Sequence, residues 1–230
     1  MRVVALIPAA GHGRRMGGQK PKVFLPLGGI PLLIHTLQKF EACPQVDEIL
    51  PLVPAREVNL AAEILRPYGL KKVPRILTGG PERQDTVYSG LKAIEGDTDF
   101  VIIHDGARPF VSPELIERTL SETLRWKAVV VALPAGDTIK EVSAEGRVLR
   151  TIDRSNLWII QTPQSFEYGI IVEAHEKARK EGFWGTDDAA LVEKLGIPVK
   201  VIEGSRFNLK ITTPEDLILG EALLKYSKGK

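Results

Sequence analysis

Short apolar runs rich in β-branched residues alternate with longer amphipathic stretches along most of the chain, and this rhythm narrows the possible folds more than any other feature. The runs occupy residues 3–7, 48–53, 100–104, 128–133 and 199–202. Between and after them, helical spacing of apolar side chains covers 31–41, 57–68, 85–94, 113–126, 168–181, 187–195 and 214–226. Ser112 before Pro113, and Thr213 before Pro214, set a hydroxyl at the N-cap and proline at the first helical position. Gly69 and Gly196 fall where helices should stop. The alternation predicts an α/β fold: a mostly parallel sheet with helices on both faces. Ligands of such sheets lie beyond the carboxyl ends of the strands, so the loops after Ile7 and Ile103 are expected to share a crevice.

One stretch breaks the rhythm. Polar and apolar residues alternate from Asp137 to Val142, turn at Gly146 and continue to Ile152, which predicts a β-hairpin. An isolated hairpin is marginal in water, so it should pack on something else, such as a second subunit. The expected organisation is one domain over 1–230 with an inserted β-arm at about 136–153. At 230 residues the chain is long enough for a full core. Its net charge of +2 is too balanced for a duplex nucleic-acid binder. A single cysteine, Cys43, excludes an internal disulfide and a thiolate zinc site. No apolar run approaches the roughly 20 residues of a membrane helix. The first run ends at Pro8 without the pattern of a secretion signal, so a cytoplasmic enzyme or binding domain is expected.

Three segments carry candidate chemistry. After the first run come Pro8, Ala9, Ala10, Gly11, His12, Gly13, Arg14, Arg15 and Met16, then Pro21 and Lys22. Small residues let backbone N–H groups approach phosphate oxygens, and fixed cations follow them. The spacing is neither a Walker loop nor a dinucleotide fingerprint. It reads as a phosphate-binding loop at which charge develops on phosphorus, against the plainer alternative of a turn with solvated arginines. The second segment, His104 to Pro109, sets Asp105 at a strand end, where it can meet a hard cation or cap the next turn. His104 reads as structural rather than as a general base, and Arg108 as a partner for a local carboxylate or for phosphate. The third, Gly79, Gly80 and on to Thr86, is an anion- or base-clasping loop or a simple helix cap. Arg154 and Lys210 alone read as surface cations.

Together these segments resemble the sugar-phosphate nucleotidylyltransferases, and within them the 2-C-methyl-D-erythritol 4-phosphate cytidylyltransferase family. The resemblance rests on the first loop with Pro21 and Lys22, on Gly79-Gly80-x-x-Arg83, on His104 to Pro109 and on Thr151 to Arg154. Gln161-Thr162-Pro163-Gln164 and Asn208-x-Lys210-x-Thr212 complete it, in the family's order over essentially the whole chain. It implies a Rossmann-like nucleotidyltransferase fold of the glycosyltransferase-A type. It also implies transfer of a cytidylyl group from CTP to a sugar-alcohol phosphate with release of pyrophosphate. The catalytic residues would be Arg15, Lys22 and Lys210. Nucleotide contacts would come from Pro8, Ala9, Ala10, Gly11, Gly13, Gly80, Thr86, Asp105 and Gly106, with Asp105 also meeting magnesium. Arg108, Thr138, Arg154 and Lys210 would approach the acceptor, Thr138 and Arg154 from the neighbouring subunit of a homodimer. Thr86 stands where the family often has serine, which keeps the hydroxyl. Ribitol-5-phosphate as acceptor, or a non-catalytic nucleotide-sensing role on the same fold, are the alternatives to be separated. At this length, a cyclase fused after the transferase is not expected.

Overall fold

The computed structural model describes residues 1–11 and 21–228. Gly13 and Arg15 therefore lie outside the described residues, with Arg14 and Met16. The element order is β1 (Val3–Pro8), β2 (Pro26–Leu27), β3 (Ile30–Pro31), α1 (Leu32–Glu41), β4 (Glu48–Val53), α2 (Val58–Leu65), β5 (Leu77–Thr78), α3 (Arg83–Ala93) and β6 (Phe100–Ile103). There follow α4 (Pro113–Trp126), β7 (Ala128–Pro134), β8 (Ile139–Val142), β9 (Val148–Ile152), β10 (Trp158–Glu167), α5 (Tyr168–Glu181), α6 (Asp188–Lys194), β11 (Lys200–Glu203) and α7 (Pro214–Lys228).

Seven strands form the main sheet in the order β11-β7-β10-β6-β1-β4-β5. All neighbours are parallel except β10, which runs antiparallel to both β6 and β7. The two-residue period of a strand sorts β1 between two cores. Val3, Ala5 and Ile7 pack with Leu33, Leu37 and Phe40 of α1 and with Ile116 and Leu120 of α4. Val4 and Leu6 pack with Val87 and Leu91 of α3, Ile171 and Ala174 of α5, and Leu191 of α6. Residues 3–7 are wholly buried, as a strand covered on both faces requires. The expected fold class is the one observed.

The strand of the main sheet that sequence reading missed is β10. Pro163 with Gln161, Thr162, Gln164 and Ser165 argues against a central strand, because proline cannot donate to a ladder and buried polar groups need partners. The chain resolves both difficulties. Its register with β7 shifts between Ile160 and Gln164. The polar side chains bond inward: Gln161 donates to the Ser205 carbonyl at 3.1 Å, and Gln164 to Asp187 Oδ2 at 2.7 Å.

The hairpin expected around Gly146 is present as β8 and β9, which among the described residues pair only with each other. Val142, Val148 and Leu149 on it are exposed. The cap at Ser112 also forms: its hydroxyl accepts from the Leu115 N–H at 3.2 Å and starts α4. Ser112→Ala should cost about 1 kcal/mol, lowering Tm by about 2–4 °C in a chain of this size. Thermal unfolding of the variant checks this, and an unchanged Tm would show that the cap contributes nothing.

Candidate active site

Because β1 and β6 are neighbours, the loops beyond their carboxyl ends meet, and Gly106 N–H donates to the Pro8 carbonyl at 3.0 Å. They open onto a cleft of about 550 Å³, the size of a small-molecule site. Pro8, Ala10 and Gly11 line it on one side, and Gly80, Arg83 and Thr86 on another. Asp105 forms its back, and Lys22 and Lys210 reach it from distant parts of the sequence.

Close approach explains both glycines, Gly79 against the first loop and Gly80 against the start of its own helix. A Cβ on Gly79 would lie 2.5 Å from the Cβ of Ala10, and one on Gly80 would lie 2.5 Å from the Cβ of Asp85. Thr86 ties the second loop to its helix, its hydroxyl 3.2 Å from the Gly80 carbonyl and 3.0 Å from that of Glu82.

The charges converge on Asp105. Lys210 Nζ is 2.7 Å from its Oδ2, Arg83 Nε 3.3 Å from its Oδ1, and Arg108 Nε 3.6 Å from Oδ2. Burial opposes the carboxylate's charge, but Arg83, Lys210 and Arg108 outweigh it and hold the group well below the usual carboxylate range. Arg83 also reaches Asp188, Nη1 to Oδ2 at 2.7 Å. Burial works against its charge too, and the two aspartates more than compensate, leaving the guanidinium more firmly protonated than usual. Lys22 Nζ donates to the Ile211 carbonyl at 2.9 Å, which brings it beside the segment that carries Lys210.

Other expected residues stand back from the cleft wall. Ala9 is buried, and its N–H is committed to the Leu52 carbonyl at 2.8 Å. Gly106 packs against Ala9, with its N–H on Pro8 as above. Arg108 lies behind Asp105, donating through Nη1 to the Asn208 carbonyl at 2.8 Å. Thr138 and Arg154 sit exposed at the foot of the arm, where Arg154 bonds the Gly136 carbonyl; neither lines this chain's cleft.

Comparison with known proteins decides the family. Residues 3–226 match the profile of 2-C-methyl-D-erythritol 4-phosphate cytidylyltransferase. The chain belongs to this family. A protein of that name from Syntrophus aciditrophicus is 47% identical over 230 residues, covering 100% of this chain and 98% of its own. One from Geotalea uraniireducens is 49% identical over 228 residues, covering 98% and 97%. The crystal structure of the Thermus thermophilus cytidylyltransferase superposes with a TM-score of 0.81 at 40% identity, covering 98% of this chain and 100% of that one. The 4-diphosphocytidyl-2C-methyl-D-erythritol synthase from Anaerococcus prevotii gives 0.86 at 34%, covering 97% and 96%.

Sequence reading of this cytidylyltransferase-family chain quoted Arg83 only as part of a motif and gave it no role. Asp188 and His175 went unremarked. The signal for Arg83 was its fixed distance from Gly79 and Gly80; nothing local marks the other two. His104 is the structural residue expected. A carbonyl can only accept, so His104 Nε2 must donate to Arg108 O at 3.2 Å. Nδ1 then accepts from the Thr162 hydroxyl at 3.0 Å, and Thr162 Oγ1 in turn accepts from the Asp105 N–H at 3.1 Å. The neutral imidazole thereby fixes the backbone of Asp105.

Burial pushes the His104 pKa down to about 4. The unfolded chain thus takes up this proton first, so the stabilisation is complete above about pH 6.5 and is lost as pH falls towards 4. Its size is about 3 kcal/mol. Denaturant unfolding should show stability dropping across that window, and the His104 imidazole resonances should not titrate above about pH 5. Titration near the ordinary histidine value would contradict the assigned tautomer and burial.

Proposed function

We propose that the cleft transfers a cytidylyl group from CTP to 2-C-methyl-D-erythritol 4-phosphate, giving 4-diphosphocytidyl-2-C-methyl-D-erythritol and pyrophosphate, for isoprenoid precursor synthesis. The observation that carries this reading is the meeting of Lys210 and Arg83 around one ionised carboxylate, with Lys22 lining the same cleft beside two small-residue loops, in a chain that matches the family from end to end. The names of the relatives favour methylerythritol phosphate over ribitol phosphate as acceptor.

An oxygen of the acceptor's phosphate attacks the α-phosphorus of CTP. The bond from that phosphorus to the bridging oxygen breaks, and its electrons leave with pyrophosphate. A phosphate monoester has a second pKa of about 6 and is mostly dianionic at neutral pH, so no protein base is needed. His104, neutral with both nitrogens engaged, is not available as one. The requirement is for fixed positive charge where negative charge gathers. Lys22, with Arg15, meets the α-phosphate and the leaving group. Lys210 stands between acceptor phosphate and α-phosphate, and Arg108 supports the acceptor end. Ala10 and Gly11, with Gly13, admit the phosphates; Gly80 and Thr86 clasp cytosine. Ala9 and Gly106 shape this nucleotide wall from behind.

Asp105 suits magnesium. It is ionised, faces the cleft, and among the described residues belongs to no cluster of three metal-ligating side chains. That donor set fits an ion that takes one or two carboxylates and leaves its other positions to phosphate and water. Bound there, magnesium would neutralise phosphate charge.

The arm is read as a dimer contact that delivers Thr138 and Arg154 to the neighbouring cleft, in one 1–230 domain with the arm inserted. Exposed apolar side chains on and beside it, Val148, Leu149, Trp158 and Ile159, support that reading. Among the described residues no helix is long and apolar enough to cross a membrane, and a cytoplasmic location fits the chemistry.

Lys22→Ala should lower kcat by at least about a hundredfold, the effect of losing one preorganised transition-state donor; near-normal turnover by the folded variant would remove its role. Arg154→Ala should raise KM for the acceptor and spare that for CTP. Mixing the two variants should restore activity through heterodimers that hold one intact cleft, and the absence of any recovery would count against donation across subunits.

A further inference from the structure

Asp105 has to keep its place when its most exposed partner is called away. The Lys210 side chain is 39% exposed and its ammonium sits on Oδ2, where an incoming phosphate would compete for it. Arg108 holds more loosely, at 3.6 Å, with its Nη1 engaged on the Asn208 carbonyl. Arg83 approaches the other oxygen, Oδ1, from the first residue of α3.

The guanidinium is a rigid planar fork, so fixing one nitrogen fixes the direction of the others. Arg83 Nη1 is fixed by Asp188, which is 1% exposed and begins α6. Asp188 is itself set by His175 of α5, Oδ1 to Nε2 at 3.2 Å, and His175 is fully buried. Beside it, Asp187 caps α6 through the Ala190 N–H and receives Gln164 Nε2. A relay, His175–Asp188–Arg83–Asp105, thus runs from a fully buried histidine to the half-buried arginine at the cleft.

We infer that Arg83 is a positioning residue for the reaction: held by Asp188, it keeps the Asp105 carboxylate oriented while Lys210 moves its charge to phosphate. This rests on the cytidylyl-transfer reading above. It assigns function to a relay that an unrelated structural role would leave indifferent to catalysis.

Arg83→Gln alone strands Asp188 as a buried carboxylate with little compensation, which should destabilise the chain and confuse any loss of activity. The decisive variant is therefore the pair Arg83→Gln with Asp188→Asn, which removes both charges and lets two amides face each other. Tm, kcat and both KM values are measured for wild type, the single variant and the pair, by thermal unfolding and by diphosphate release from CTP with the methylerythritol phosphate acceptor. The pair should recover most of the Tm lost by Arg83→Gln, yet keep kcat at least about tenfold below wild type, as loss of a supporting partner does. KM for CTP should stay within about twofold, because the contacts removed are not those of ground-state nucleotide binding. Recovery of kcat together with Tm would overturn the inference, as would a loss confined to KM for CTP. Failure of the wild type to release diphosphate would instead sink the cytidylyl-transfer reading itself.

Discussion

A carboxylate taken out of water costs several kcal/mol unless cations surround it, and in this cleft that requirement governs the arrangement. Asp105 is 10% exposed and ionised, with Arg83, Arg108 and Lys210 about it. Arg83 comes from α3, Arg108 from the loop after β6, and Lys210 from the segment leading to α7. None of these segments can shift without stranding a charge. The carboxylate is therefore the point at which the two loops and the C-terminal segment are held in register.

The sheet explains why those segments meet. Parallel β1 and β6 deliver their loops to the same edge, and β10 turns back between β6 and β7 to bring Thr162 beneath Asp105. His104 then serves as a neutral spacer with both ring nitrogens occupied. Its burial removes proton transfer from its repertoire and gives it to positioning instead. The division of labour suits an acceptor that arrives already ionised: the chain supplies charge and geometry, and the acceptor supplies the nucleophile.

Much of this was legible in the sequence because it is local. Covered strands advertise themselves by continuous apolar runs, caps by Ser112-Pro113, and the arm by alternation around Gly146; each depends on residues within a few positions. The glycine pair at 79–80 marked a loop without saying what it packs on, which for Gly79 is Ala10 and for Gly80 is Asp85. What stayed hidden is long-range. β10 looked unlike a central strand because Gln161, Thr162 and Gln164 find their partners 23 to 58 residues away. Asp188 sat inside an ordinary amphipathic helix until Arg83 and His175 were seen against it. Arg154 and Thr138 remain apart from this chain's cleft, so their expected roles depend on a second copy.

The account holds that the reaction needs positive charge and positioning, and that no group of the protein removes a proton from the nucleophile. The direct measurement is the pH dependence of kcat/KM for the acceptor, made in parallel with an analogue whose phosphate has a lower second pKa. One ascending limb near about pH 6, moving down with the analogue, is the predicted result. A limb that stays at the same pH for both acceptors would belong to a base on the protein and would contradict the account.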